Sequence, residues 1–274
     1  MFSPRIPRHH PALALALLGA TLSLAFGQTS TLTFAVFGDS QPGGKQVSPV
    51  LNRLAADMAA ARPAFVIGTG DYVDGASDPR QLQRQYSGFF RALAPLQAYG
   101  PVPVALAPGN HDILGSRANK ANFCRYFGAT YYSFNRAGCH FIILSSEEPG
   151  EDGRIAGKQW NWLVADLDRN AAAKLTFVAV HEPLFPVSIH RGSSLDAHPK
   201  DRDALHRLFV RRGVDCVFHG HEHLFNRRRR DGVDYIITGG AGGSLYAKEP
   251  AGGFHHYVLV RVNRGKYRVD VRRL

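Results

Sequence analysis

Five times along this chain an apolar, β-branched run stops abruptly at a turn of Gly, Asp, Asn or His. Thr31 to Phe37 breaks at Gly38, Asp39, Ser40 and Gln41, and Ala64 to Ile67 breaks at Gly68, Thr69, Gly70, Asp71, Tyr72, Val73 and Asp74. Val102 to Ala107 breaks at Pro108, Gly109, Asn110, His111 and Asp112; Leu175 to Val180 at His181, Glu182 and Pro183; Val214 to Phe218 at His219, Gly220, His221, Glu222 and His223. Short apolar runs bounded in this way predict strands.

Between them lie stretches with helical spacing. These are Val47 to Ala61, Pro79 to Leu96 (with Leu82, Tyr86, Phe89, Phe90 and Leu93 on one side), Asn119 to Phe127, Lys158 to Leu167 and Arg202 to Arg212. Tyr131 to Asn135 and His140 to Ser145 alternate and meet at Ala137 and Gly138, which predicts a hairpin, with His140 structural. Tyr235 to Thr238, His255 to Val262 and Tyr267 to Val271 supply closing strands. Leu184 to Pro199 has no period, and a loop of that length in a compact domain is commonly a lid or a substrate wall. Strands alternating with helices predict an α/β fold. In such folds ligands collect where strand carboxyl ends open into a crevice. No repeat or linker interrupts residues 28–274, so one catalytic domain is expected there.

Composition adds a destination. The 274 residues are 45% apolar, enough for a large core and far from the composition of a disordered chain. Arg5 and Arg8, an apolar stretch from Pro11 to Phe26, and small residues at Ala25 and Gly27 form the pattern of a secretory signal, residues 1–27. A membrane anchor is the competing reading, but the stretch is broken by Gly19 and Thr21 and falls short of the roughly 20 apolar residues a span needs. The expected product is exported, periplasmic or secreted, with no stable membrane insertion.

Of three cysteines, Cys216 reads as core, and Cys124 with Cys139 is the pair expected to bridge if any does. The net charge of +11 falls to +9 once Arg5 and Arg8 are removed, drawing the protein to anionic partners: phosphate esters, nucleic acid or a surface polyanion. The run Arg227 to Arg230 is read as a solvated face, with steering of an anionic substrate as the alternative.

The strand ends carry the chemistry. Asp39, Asp71, Asp74, Asn110, His111, Asp112, His181, His221 and His223 mix carboxylate, amide and imidazole, which suits Zn, Mn or Fe rather than Mg or Ca. They are too many for one ion. Two ions about 3.5 to 4 Å apart and sharing a carboxylate would use them. Asp74 is read as support behind the site or a cap on the next turn, His219 as near the metals without binding them, and His190, His198, His255 and His256 as solvated or structural, with substrate contact the alternative for His190 and His198.

In order, the strings GDSQ, GDYVD, GNHD, the His of VHEP, and GHEH resemble the calcineurin-like metallophosphoesterases, a family that includes purple acid phosphatases and cyclic-nucleotide phosphodiesterases. The resemblance covers nearly all of the chain after residue 27. It implies a four-layer α/β/β/α sandwich of two mixed sheets with the site at their carboxyl edge. It further implies that Asp71 bridges two transition-metal ions, divalent or mixed-valence, that Asp39 and His223 hold the first, and that Asn110, His181 and His221 hold the second. His111 would protonate the leaving oxygen, with Asp112 orienting its imidazole, while a metal-bridging hydroxide attacks phosphorus.

Two positions depart from the family pattern. Gln41 stands where many members have His, leaving open direct binding, binding through water, or none; Asp74 stands where purple acid phosphatases have Tyr, which argues against an iron-tyrosinate centre. The expected activity is hydrolysis of phosphate monoesters or diesters of small molecules. The alternatives are a phosphodiesterase or nuclease acting on nucleotides, although no nucleic-acid motif is present, and a non-catalytic polyanion-binding module of the same fold.

Overall fold

The structure is a computed structural model that describes residues 31–274; the expected signal segment 1–27 lies outside the described residues. Two mixed sheets pack face to face. The first has the strand order β11 (Lys266–Arg273), β10 (His256–Asn263), β1 (Leu32–Phe37), β2 (Val66–Gly68), β3 (Val104–Leu106). The second runs β4 (Tyr132–Arg136), β5 (Cys139–Ile143), β6 (Leu175–Ala179), β7 (Cys216–His219), β9 (Val233–Thr238), β8 (Phe225–Arg230). Strands β1, β2 and β3 are parallel, as are β5, β6, β7 and β9; antiparallel strands close every edge except that at β3. All five predicted strand ends therefore open toward the same rim.

Strands of this kind are buried on both faces, and their side chains sort by parity. Phe34 and Val36 of β1 point between the sheets, where Phe34 meets the rings of Phe65, Phe141 and Phe177 at centroid distances of 5.2 to 5.3 Å. Ala35 and Phe37 point the other way, onto helices.

Those helices are α1 (Pro49–Ala60), α2 (Pro79–Leu93) and α4 (Arg117–Phe127), each begun by a polar cap: Ser48, Asp78 and Ser116 accept the backbone N–H of Leu51, Arg80 and Asn119. Pro at the first position of α1 and α2 costs nothing there, because that N–H has no helical partner. On the far side α5 (Gly157–Arg169) and α6 (Pro199–Arg211) cover the second sheet with Leu163, Leu167, Leu205 and Phe209. The result is the expected α/β/β/α sandwich, and no helix among the described residues is long and apolar enough to cross a membrane.

One expectation needs correction and another gains detail. Cys124 and Cys139 are not bridged: Cys139 is buried between the sheets, whereas Cys124 is exposed on α4, in the helical layer beyond the first sheet. The run Arg227 to Arg230 is exposed, as a solvated face should be, and it is built into β8, an edge strand in register with β9. Arg227 and Arg229, though exposed, donate to the buried carboxylate of Asp234, which also accepts the hydroxyl of Tyr267 from the opposite sheet at 2.6 Å.

Candidate metal centre

At the common rim the chain bends in a way most residues resist. Asp39, Asp71 and His221 are non-glycine residues in the left-handed region, with φ of 60°, 57° and 69°. Asp and His tolerate that region better than most, and a cluster of three at one place marks a functional site. Glycines provide the clearance. A Cβ on Gly109 would lie 2.2 Å from Asp71 Oδ1, and one on Gly220 would lie 2.4 Å from Asp39 Oδ2.

These bends bring Asp39, Asp71, Asn110, His181, His221 and His223 together. Asn110 Oδ1 lies 3.0 Å from His181 Nε2 and 3.0 Å from His221 Nδ1, and those two nitrogens are 3.2 Å apart. Neighbouring ligands of a single ion with bonds of about 2.1 Å take such separations. Asp71 Oδ2 approaches His181 Nε2 to 3.4 Å, and Asp39 Oδ1 approaches His223 Nε2 to 3.5 Å. Two compact donor groups result, one of Asp71, His181 and His221 and one of Asp39, Asp71 and His223, with Asp71 common to both.

The imidazoles are oriented from behind. His181 Nδ1 donates to the Thr69 carbonyl at 2.8 Å and His223 Nδ1 to the Ser244 carbonyl at 2.7 Å, so each turns its Nε2 toward the carboxylates. Burial would strip the proton from His181, but the carboxylates of Asp71 and Asp39 hold it well above its ordinary pKa. Burial also disfavours ionised Asp71, and the His181 and His111 rings outweigh it, keeping the carboxylate ionised. Burial and the His181 charge push His221 down to about 2, leaving it neutral with a lone pair free. Asp39 Oδ2 and Gln41 Oε1 are buried without a hydrogen-bond partner. Buried oxygens in that state are costly unless something else satisfies them. Donor type, spacing and orphaned oxygens all fit a pair of cations.

The remaining predicted residues divide. Gln41 Nε2 donates to Asp71 Oδ2 at 3.0 Å, so this amide backs the shared carboxylate. His111 sits at the rim, its side chain 41% exposed, with Nε2 4.0 Å from Asp71 Oδ2. Its Nδ1 donates to the backbone carbonyl of Asp74 at 2.8 Å, so the expected contact from Asp112 to this ring is not made. Asp112 is fully buried instead and accepts the backbone N–H groups of Gly109, Asp71 and Tyr72, clamping the second turn to the third. The Asp74 carboxylate accepts the N–H of Gly43 and Gly44 and holds the first turn. His219 lies buried behind the donors, its Nδ1 on the Val180 carbonyl, and His140 is bound between Asn135 and Asp166 in the body of the sheet.

Two further residues lie at the site. The His190 ring lies 3.9 Å from the His221 ring, with Nε2 buried and unpartnered, and Tyr246 stacks on His223 at 4.2 Å. His190 stands in the aperiodic loop, and Tyr246 follows a glycine-rich run, so only the fold brings them here.

Residues 32–225 match the family model described as calcineurin-like phosphoesterase. The human (Homo sapiens) serine/threonine-protein phosphatase CPPED1 is 27% identical over 200 residues, 70% of this chain and 63% of that protein. Purple acid phosphatase 15 of Arabidopsis thaliana is 26% identical over 268 residues, 86% of this chain and 46% of that protein. The chain thus spans less than two thirds of either relative. Among solved structures, purple acid phosphatase PPD1 from yellow lupin (Lupinus luteus) seeds has the same fold, with a TM-score of 0.72 at 17% identity, covering 90% of this chain and 52% of that one.

Proposed function

The chain belongs to the calcineurin-like phosphoesterase family, and from that premise we propose that it is an exported, metal-dependent hydrolase of phosphate monoesters or diesters. The observation that carries this reading is Asp71, one carboxylate shared by two groups of metal-capable side chains. Asp39, His223 and Gln41 would hold one ion, Asn110, His181 and His221 the other, and Asp71 both; Mn, Fe or Zn suit these donors. Such ions, when bound, polarise a phosphoryl oxygen and acidify water.

The chain's own groups supply the rest. His111 stands beside the centre without belonging to either donor group, and the Asp74 carbonyl occupies its Nδ1, so the proton on Nε2 is the one it can give to a leaving oxygen. His190 Nε2, buried and unpartnered above His221, is placed to donate to a phosphoryl oxygen. Asp112 and Asp74 hold the turns that carry the donors.

Elemental analysis of the purified protein, with hydrolysis assays on p-nitrophenyl phosphate and bis-p-nitrophenyl phosphate, tests this reading. Bound transition metal with turnover of either ester supports it; metal-free protein that stays inert with every added divalent ion refutes it. That second result favours the polyanion-binding module, for which the basic C-terminal strands speak: from Phe225 to Leu274 there are 11 Lys or Arg against 4 Asp or Glu. Export rests on residues 1–27, and N-terminal sequencing of the mature protein checks it.

A further inference from the structure

Glu222 stands between His221 and His223 and has no solvent exposure. A carboxylate withdrawn from water is costly unless its oxygens are bonded. Here one oxygen accepts the backbone N–H of Val187 at 2.7 Å and the other that of Ser188. Both amides belong to the aperiodic loop, three and two residues before His190. The loop is braced from within: Arg191 donates to the Val187 carbonyl at 2.8 Å, and the hydroxyls of Ser193 and Ser194 donate to the His190 carbonyl. Whatever fixes Val187 and Ser188 therefore fixes His190. An apolar side chain would fill the space under the turn but leave both loop amides without an acceptor, so the carboxylate here does more than pack.

We propose that Glu222 is a positioning residue that ties the His221–His223 ligand turn to the loop carrying His190, so that the donors and the wall above them keep one register. The inference rests on the phosphoesterase reading for its kinetic consequence, but not for its structural one. Gln at 222 is isosteric but has a single acceptor, leaving one loop amide unpaired and setting an NH2 against an N–H.

The test compares the full-length wild type, Glu222→Gln, His190→Ala and the double variant. Metal content, kcat and KM on p-nitrophenyl phosphate, and hydrogen exchange of the peptide spanning residues 186–193 are measured. Glu222→Gln is expected to keep its metal, to raise exchange in that peptide, and to lower kcat/KM by about ten- to a hundred-fold, mainly through KM. His190→Ala should lose a similar factor, and the double variant should lose no more than either single one, because both changes remove the same contact.

Multiplying losses, unchanged loop exchange, or loss of metal in step with activity would each overturn the proposal, the last by showing that Glu222 serves only the ligand turn. Should Glu222→Gln fail to fold, Glu222→Asp keeps two acceptor oxygens at shorter reach and is expected to raise loop exchange with metal retained; unchanged exchange there overturns the tether. A wild type that hydrolyses neither ester removes the functional reading, while the exchange measurement still decides whether Glu222 holds the loop.

Discussion

Asp71 Oδ2 lies 3.4 Å from His181 Nε2, while the other oxygen of the same carboxylate accepts the backbone N–H of His111 at 2.9 Å. One side chain therefore links both donor groups and the segment that carries the candidate acid. Asp71→Asn is expected to empty both metal positions together and to cut turnover by about 10³-fold or more, as befits a loss of several kcal/mol of charge stabilisation. His223→Ala should lower the metal-to-protein ratio by about half. Elemental analysis of the two variants side by side distinguishes a shared ligand from a private one.

His111 approaches Asp71 only to 4.0 Å and joins neither donor group. His111→Ala should therefore retain metal. Turnover of alkyl phosphates, whose leaving oxygen needs a proton, should fall by about 10²- to 10⁴-fold, and that of p-nitrophenyl phosphate far less. Equal losses on both esters would remove the acid role.

Gly109 has ordinary backbone angles, φ −110° and ψ 174°, so its requirement for glycine is one of space. A methyl group there would sit 2.2 Å from Asp71 Oδ1 and 2.4 Å from Asp71 N. Gly109→Ala is expected to cost about 1 to 3 kcal/mol through overpacking and to displace the shared carboxylate. Denaturant midpoint and metal content, read together, check both effects; a variant with wild-type metal content would count against the tightness of this contact.

Glu147 is buried at 3% exposure, and burial raises its pKa to about 7 from an ordinary 4.5, with the His181 charge and the Ser146 hydroxyl pulling the other way. The folded pKa exceeds the unfolded one, so the stability associated with the buried acid is fully present below about pH 4.5 and is lost as pH rises toward 7. In protein stripped of metal by a chelator, Glu147→Gln should therefore gain about 3 kcal/mol at pH 8 and nothing at pH 4. Urea unfolding at the two pH values measures it. A gain at both would mean that packing, not ionisation, is responsible.

Much of the site was readable because its residues follow directly on short buried strands, where an apolar run and a polar stop are local signals. Asp39, Asp71, Asn110, His181, His221 and His223 each sit two to four residues past a strand end, and parallel topology does the rest. What could not be read is contact across the chain. Asp112 is spelled as a neighbour of His111, yet its carboxylate turns back to amides about 40 positions away, because a buried charge takes the donors the fold offers. His190 reaches the site through a loop without period. Strand β8 was hidden because four arginines mask its pairing pattern; the signal that could have revealed it is Asp231-Gly232, a two-residue hairpin turn with φ of 47° and 87°.

The arginines of β8 also govern how this molecule can meet itself. The strand ends its sheet with backbone groups that could in principle recruit a matching strand and seed ribbon-like growth. Two copies zipped along that seam would bring four arginines from each to a single junction, divided between its two faces, so repulsion opposes this road to runaway assembly, most strongly in dilute salt.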